Sequence, residues 1–264
     1  MDKKSSKKVL DESAKMLPNF SLLKNPPQNA TPMYEMISKL LKKPDLYKEL
    51  KQNSIKMAEK FIPKCKEEIK KSNNPFLTST KIAVAGNVID LASEVRFDLK
   101  DELAKVLKTN FSIDDTDKLY ERLKKSEILV YLADNAGENV FDKLYIETLK
   151  DIFKDIEVYY FVRSAPIIND ITYDELKNDS INDIATLIDS GNKTPGLVIE
   201  DLKDEAKELF YKADCIISKG MGNFECLSEN NQFPIYYLLK IKCSVVAKEL
   251  KRELGDIICK SSKR

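Results

Sequence analysis

Histidine is absent from this sequence of 264 residues, and so is tryptophan. The lack of imidazole disfavours the common zinc, copper and iron sites of proteins. Any metal site must then be built from carboxylate, carboxamide, carbonyl and water oxygens, which suit magnesium or manganese. Because no histidine can act as a general acid or base, proton transfer in an active site would fall to carboxyl groups, lysine or water.

The sequence also lacks an excess of one charge, a long apolar segment and a paired-cysteine motif. Its 44 basic and 43 acidic residues give a formal net charge of +1, so no bulk field attracts nucleic acid or an anionic membrane. No segment approaches the roughly 20 apolar residues of a membrane helix, and the first residues show no signal-peptide pattern. The five cysteines form no CxxC pair, which is typical of free thiols in a reducing compartment. We therefore expect a cytoplasmic protein that binds neither nucleic acid nor membrane.

Residues 1–75 carry the pattern of helices joined by proline-bearing turns. Thr31 and Pro32 predict a helix that begins with an N-cap and a proline in the first turn. Pro44 and Asp45 restart the helical spacing of apolar residues, and the polar segment 72–75 ends it. The sequence thus predicts a helical amino-terminal region over residues 1–75 and a second unit over residues 76–264.

From about residue 126, short β-rich runs alternate with amphipathic stretches. The runs span residues 128–132, 158–162, 185–188, 215–218 and 235–241, and residues 201–211 have helical spacing. Alternation of this kind predicts an α/β fold, with a mostly parallel sheet that helices cover on both faces.

Polar residues and glycines follow the first four of these runs. In open α/β sheets, ligands bind outside the carboxyl ends of the strands, so we expect these residues to share one site. In chain order they are Asp134 and Asn135, then Arg163, Asn169 and Asp170, then Gly191, and last Lys219 and Gly220.

The residue types in this set indicate a hard cation and an oxyanion. Asp134 and Asn135 bring an adjacent carboxylate and carboxamide to one strand end, as a site for magnesium or manganese requires. Lys219, beside Gly220 and close to Gly222, could reach a phosphate together with backbone amides. If residues 82–92 form a helix, Asn87 and Asp90 lie on one face of it, where they either meet solvent or line the site.

Five segments resemble the motifs of the damage-control phosphatases, a family long known as domain of unknown function 89. In order they are GNVID at 86–90, DNAGE at 134–138 with FD at 141–142, RSAPIIND at 163–170, KGMGNFE at 219–225 and LKIKC at 239–243. Their order and spacing match over roughly residues 20–258, which is more specific than any one motif alone. One departure is that several prokaryotic members begin with a cysteine pair, whereas this chain has no cysteine before Cys65.

The resemblance implies a three-layer α/β/α Rossmann-like core with a helical amino-terminal region. It also implies a divalent-metal phosphatase that hydrolyses phosphorylated sugars or damaged phospho-metabolites. The expected cofactor is Mn²⁺ or Mg²⁺, with Co²⁺ or Ni²⁺ as alternatives, and the expected partner is a small phosphorylated metabolite. Neither the physiological substrate nor the oligomeric state is indicated by the residues.

By match to the motifs, the metal ligands would be Asp134, Asn135 and Asp170, and the catalytic residues Asp134, Asp170 and Lys219. Lys219 would also lie near the substrate phosphate. The remaining positions expected to contact substrate or border the pocket are Asn87, Asp90, Glu138, Arg163, Asn169, Gly191, Gly220 and Asn223.

Several alternatives stay open at this level. The nucleophile is either a water molecule activated by the metal or the Asp134 carboxylate. Asp90 or Glu138 could serve as the general acid. A rival function is a carboxyl methyltransferase that uses S-adenosylmethionine, although no GxGxG loop follows the first strand. A non-catalytic metal or metabolite binder is a third hypothesis.

Overall fold

The computed structural model describes residues 2–88 and 99–262, and a seven-stranded sheet lies at its centre. The strands are β1 (Ile113–Asp114), β2 (Ile128–Leu132), β3 (Glu157–Val162), β4 (Thr186–Asp189), β5 (Cys215–Lys219), β6 (Ile235–Lys240) and β7 (Ile257–Ser261). Their order across the sheet is β1-β7-β6-β5-β2-β3-β4. Strands β2 to β6 pair in parallel, whereas β7 is antiparallel to β6 and β1 runs parallel to β7. The predicted α/β class and mostly parallel sheet are confirmed.

Twelve helices surround the sheet or precede it within the described residues. They are α1 (Lys3–Met16), α2 (Pro26–Leu41), α3 (Lys48–Glu59), α4 (Ile62–Lys71), α5 (Pro75–Val88), α6 (Leu99–Lys108), α7 (Thr116–Leu123), α8 (Glu138–Ile152), α9 (Tyr173–Leu176), α10 (Asp204–Lys212), α11 (Gly220–Leu227) and α12 (Ser244–Leu250). In the part of the chain that the structure describes, every helix is too short or too polar to cross a bilayer.

The strands fill two separate cores because successive side chains of a strand point to opposite faces. On one face, Leu129 and Tyr131 of β2 pack with α5, α7 and α8. On the other face, Val130 and Leu132 of the same strand pack with α10, α11 and α12. Helices on both faces give the three-layer α/β/α arrangement that the sequence analysis predicts.

The direction of the chain across the sheet reverses between β2 and β5. From β2 the sheet grows outward through β3 to β4, and the chain then returns to place β5 on the other side of β2. Connections that leave two neighbouring parallel strands in opposite directions open a crevice at their carboxyl ends. This crevice lies where Asp134 follows β2 and where Gly220 follows β5.

The amino-terminal helices pack onto the core through a third apolar cluster. Phe61, between α3 and α4, is 2% exposed and meets Phe141 of α8 edge to face, with ring centroids 5.9 Å apart. Helix α5 packs along α8 and also contacts α4. The domain boundary at residue 75 stays a prediction; α4 ends at Lys71 and α5 begins at Pro75.

The start predicted for the second helix is wrong. Helix α2 begins at Pro26, and Pro32 lies inside it. Asn25 caps this helix, since its Oδ1 accepts from Gln28 N at 2.9 Å and Gln28 Oε1 accepts from Asn25 N at 3.3 Å. A proline in the first turn loses no helical hydrogen bond, so this capping box sets the start of the helix.

Two strands were missing from the prediction. Strand β1 has only two residues, and β7 follows α12 near the end of the described chain. Both are held by pairing with strands that are distant in sequence, β1 with β7 and β7 with β6. A local pattern of apolar residues carries little information about such pairing.

Replacing Phe61 with alanine should lower the free energy of unfolding by about 3–5 kcal/mol, because a fully buried ring leaves a cavity between the helical region and α8. Urea denaturation followed by circular dichroism would measure the change. The matched control is Leu22→Ala, since Leu22 is 103% exposed and its loss should change the stability by no more than about 0.5 kcal/mol. Equal stability of the two variants would contradict the packing described.

Candidate active site

Asp134 and Asn135 leave the end of β2 and precede a tight turn into α8. Gly137 makes this turn with a φ of +96°, a conformation that L residues rarely adopt. Asn135 Nδ2 donates to Asp134 Oδ2 at 2.8 Å and to Glu138 Oε1 at 2.9 Å. These bonds fix the carboxamide and leave Asn135 Oδ1 without a donor among the described residues, so this oxygen is available to a ligand.

The segment that carries Asp170 pairs directly with the segment that carries Asp134. Ala136 N donates to Asn169 O at 2.8 Å, and Ile171 N donates to Asp134 O at 2.9 Å. Asn135 and Asp170 form an isolated antiparallel bridge. The backbone therefore brings two carboxylates that are far apart in sequence to the same place.

Buried Arg163 holds the Asp170 carboxylate. Its Nε donates to Asp170 Oδ2 at 2.9 Å, and its second guanidinium nitrogen donates to Asn223 Oδ1 at the same distance. Burial raises the pKa of Asp170 to about 6, although the Arg163 guanidinium opposes the rise. Burial, followed by the charges of Glu138 and Asp170, also raises the pKa of Asp134 well above its ordinary value. Two buried carboxyl groups with raised pKa values favour the binding of a cation, because its charge stabilises both ionised forms.

Lys219 contacts two acidic residues of α8. Its Nζ, which is fully buried, donates to Asp142 Oδ1 at 2.7 Å and to Glu138 Oε2 at 3.1 Å. Tyr131 and Tyr160 donate their hydroxyls to the same Asp142 carboxylate, at 2.7 and 2.9 Å. Burial alone would lower the pKa of Lys219, but the two carboxylates raise it above its ordinary value. Lys219 is therefore a buried cation that neutralises acidic side chains.

A pocket of about 310 Å³ opens above these residues at the carboxyl ends of β2 and β5. Its lining comes from the core and from α2, and consists of Pro26, Pro27, Ala30, Asp134, Asn135, Ile168, Asn169, Asp170, Pro195, Met221, Gly222, Glu225 and Lys242. Volumes of this size suit a small metabolite.

Four of the predicted site residues line this pocket: Asp134, Asn135, Asn169 and Asp170. A second group surrounds them without entering the lining, namely Glu138, Arg163, Lys219, Gly220 and Asn223. Gly220 has a φ of +77°, and a Cβ there would lie 1.9 Å from Asp134 Oδ2. This position therefore requires glycine, since any side chain would displace the Asp134 carboxylate.

Gly191 is not brought into this group. Gly191 has a φ of +89° and packs against the backbone of Asp201 and Lys203, beyond β4. Asn87 lies in the last turn of α5. Asp90 lies outside the described residues, so its predicted role stays a prediction.

Sequence reasoning missed several residues of the lining. Lys242 comes two residues after β6, so the rule applied to the other strand ends would have found it. Glu225 belongs to the quoted motif at 219–225 but was given no role. No local signal marked Pro26, Pro27 or Ala30, because their place in the pocket depends on how α2 packs against α11.

The charges of Lys242 and Glu225 are available to a ligand. In residues 2–88 and 99–262, neither side chain has an ion pair or side-chain hydrogen bond. The charge of Lys242 favours the ionised forms of Asp134 and Glu138, so it faces the carboxylates across the pocket. Burial, followed by the charge of Glu249, raises the pKa of Glu225.

The donor atoms fit a hard divalent cation. No three carboxylate, thiol or imidazole side chains are grouped around one point among the described residues. The candidate ligands are instead two carboxylates and one carboxamide oxygen, from Asp134, Asp170 and Asn135. This set contains only oxygen and leaves other coordination positions to water and substrate, as is usual for magnesium and manganese.

Comparisons with known proteins find the same fold and related sequences. Residues 1–258 match the family model of the damage-control phosphatase ARMT1-like domain. A damage-control phosphatase of Pyrococcus horikoshii is 40% identical over 228 residues, which are 85% of this chain and 77% of that protein. A damage-control phosphatase of Archaeoglobus fulgidus is 32% identical over 257 residues, or 95% and 88% of the two chains. The crystal structure of a DUF89 family protein from P. horikoshii gives a TM-score of 0.91 at 34% identity, covering 100% of this chain and 92% of that one.

Substituting methionine for Lys219 should lower the free energy of unfolding by about 3–5 kcal/mol, because Glu138 and Asp142 would stay buried without their cation. Chemical denaturation would measure the loss. Lys212→Met is the control, since Lys212 is an exposed residue of α10. A Lys219→Met variant as stable as the parent protein but inactive would instead show that Lys219 serves the substrate.

Proposed function

Because this chain belongs to the damage-control phosphatase family, we propose that its pocket holds a divalent cation and hydrolyses phosphate monoesters of small metabolites. Phosphatases of this family generally depend on a metal ion. The observation that carries the proposal is the meeting of Asp134, Asn135 and Asp170 in one pocket that Lys242 faces. No feature of the chain favours the methyltransferase or the non-catalytic binder.

The cation would be held by the carboxylates of Asp134 and Asp170 and by Asn135 Oδ1. When bound, it would supply positive charge that stabilises the phosphate oxygens in the transition state. Arg163 keeps Asp170 in place, and the hydrogen bonds from Asn135 Nδ2 keep the carboxamide oxygen turned toward the pocket. Side chains that are fixed before the substrate arrives need little reorganisation during the reaction.

Lys242 is the residue we propose for binding the phosphate group. It is the one lysine in the pocket lining formed by the described residues. Lys219, which the motif suggested for this role, is already engaged by Glu138 and Asp142. An exposed ammonium group without an acidic partner can form charge-assisted hydrogen bonds with phosphate oxygens.

Glu138 is better suited to orienting Asn135 than to donating a proton. Burial would raise its pKa, but the charges of Lys219 and Lys242 lower it below the ordinary value. A carboxyl group that stays ionised is a poor general acid. Its Oε1 accepts the hydrogen bond that directs Asn135, so we assign Glu138 a positioning role.

The pocket favours a substrate of about the size of a sugar phosphate. Its volume of about 310 Å³ lies at the low end of ligand pockets. Pro26, Pro27 and Ala30 form an apolar side, opposite the carboxylates. We propose that the phosphate lies between the cation and Lys242, and that the organic part of the metabolite contacts the wall formed by α2.

Protein freed of metal should release no phosphate from para-nitrophenyl phosphate or sugar phosphates, and Mg²⁺, Mn²⁺, Co²⁺ or Ni²⁺ should restore the reaction. Asp170→Asn should raise the Kd for Mn²⁺ and lower kcat/KM by at least about tenfold each, since one ligand charge is lost. Asp174→Asn is the control, because Asp174 is an exposed residue of α9 whose side chain is 82% accessible. Unchanged metal-dependent turnover in Asp170→Asn would remove Asp170 from the ligand set.

Lys242→Met should raise the KM for a sugar phosphate by about 10- to 100-fold at saturating Mn²⁺, the range expected for one lost hydrogen bond to a charged group. Steady-state phosphate release would measure it. Lys248→Met, an exposed position on α12, should leave KM unchanged. Our assignment of the phosphate-binding residue would be refuted by an unaltered KM in the Lys242 variant.

A further inference from the structure

Lys51 is a buried cation outside the pocket. It lies on α3, is 0% exposed, and its Nζ is 2.7 Å from Asp45 Oδ2 and 2.9 Å from Glu175 Oε1. At these distances the ammonium group forms an ion pair with each carboxylate. Apolar residues of similar volume often replace buried ion pairs without loss of stability. Stability alone is therefore a weak explanation for a lysine here.

Glu175 connects Lys51 to the segment that carries Asp170. While Oε1 of Glu175 faces Lys51, its Oε2 accepts from Thr172 N at 3.0 Å and from Thr172 Oγ1 at 2.8 Å. Thr172 is two residues from Asp170 and forms a bridge with Arg163, the residue that binds the Asp170 carboxylate. One carboxylate thus joins α3 to the backbone that positions a candidate metal ligand.

Asp45 extends the same contact toward α2. It lies in the turn between α2 and α3, and its Oδ1 accepts from Tyr47 N at 2.8 Å. Lys51 consequently contacts both the turn that follows α2 and Glu175, which binds Thr172 two residues from Asp170. A single ammonium group thus joins the amino-terminal helices to the segment that follows β3.

We propose that Lys51 is a positioning residue for the metal site. Through Glu175 it fixes the segment 170–172, so that the packing of α3 determines how tightly the pocket holds a divalent cation. The inference rests on the proposed function, because it presupposes a cation at Asp134, Asn135 and Asp170. Residues that orient metal ligands from outside the coordination shell commonly change metal affinity by 10- to 100-fold.

Calorimetric titration of metal-free protein with Mn²⁺ at constant pH tests the proposal without measuring activity. Lys51→Met should raise the Kd for Mn²⁺ by at least about tenfold. Glu175→Gln should raise the Kd by a similar factor. This second variant keeps the test possible if Lys51→Met fails to fold, because the Glu175 side chain is 24% exposed and its substitution disturbs the core less. If Lys51 and Glu175 act through one contact, the Kd of the double variant for Mn²⁺ should be no higher than that of the single variant that binds Mn²⁺ more weakly.

Two controls separate positioning from general loss of stability. Lys56→Met removes an exposed lysine from the same helix and should leave the Kd within about twofold of the parent value. Ile55→Ala removes a partly buried side chain that packs against the core, and should lower the melting temperature without weakening Mn²⁺ binding.

Parent-like Mn²⁺ binding in Lys51→Met or in Glu175→Gln would overturn the proposal. So would additive effects in the double variant, or an equal loss of affinity in Ile55→Ala. Parent protein that binds no Mn²⁺ would refute the proposed metal site, and the role of Lys51 with it. A different result would refute the positioning role alone. In that case the parent protein binds Mn²⁺ and the Lys51 variant binds it equally well.

Discussion

The site depends on a group of carboxyl side chains that lie close together and are almost entirely buried. Asp134, Glu138, Asp142 and Asp170 are each less than 9% exposed, and two buried cations, Arg163 and Lys219, lie beside them within the described residues. Carboxyl groups packed this closely raise one another's pKa values, as Glu138 and Asp170 do for Asp134. The divalent cation that we propose for this site would stabilise the ionised forms of Asp134 and Asp170, whose pKa values are raised by burial.

The sequence carried enough information to predict the sheet and the centre of the site. Asp134 and Asn135 directly follow a buried strand, and Asp170 lies within ten residues of the next, so local position predicted where they would meet. The direction of Lys219 could also have been predicted from the pleat of β5. Cys215, Ile217 and Lys219 alternate onto one face, and that face packs against α8. The alternation therefore places Lys219 on the face that carries Asp142 of α8.

The features that the sequence did not predict depend on contacts between distant segments. The proline pair at the start of α2 forms a pocket wall only because α2 packs against α11. In the same way, Lys51 forms an ion pair with Glu175, which follows it in the sequence by more than the first three strands. Local propensity sets the bounds of a helix, whereas its neighbours are set by the packing of the whole chain. Strands β1 and β7 were missed for the same reason.

The apolar wall contributed by α2 separates two tasks within one pocket. The candidate ligands of the cation come from the segments that follow β2 and β3, while the wall that we propose for the organic part of the substrate comes from an amino-terminal helix. Mutations in α2 can accordingly alter which metabolite fits while the chemistry of phosphate removal is preserved. A lineage could thus acquire a new substrate by gradual change in one helix, and relatives with identical metal ligands need not share a substrate.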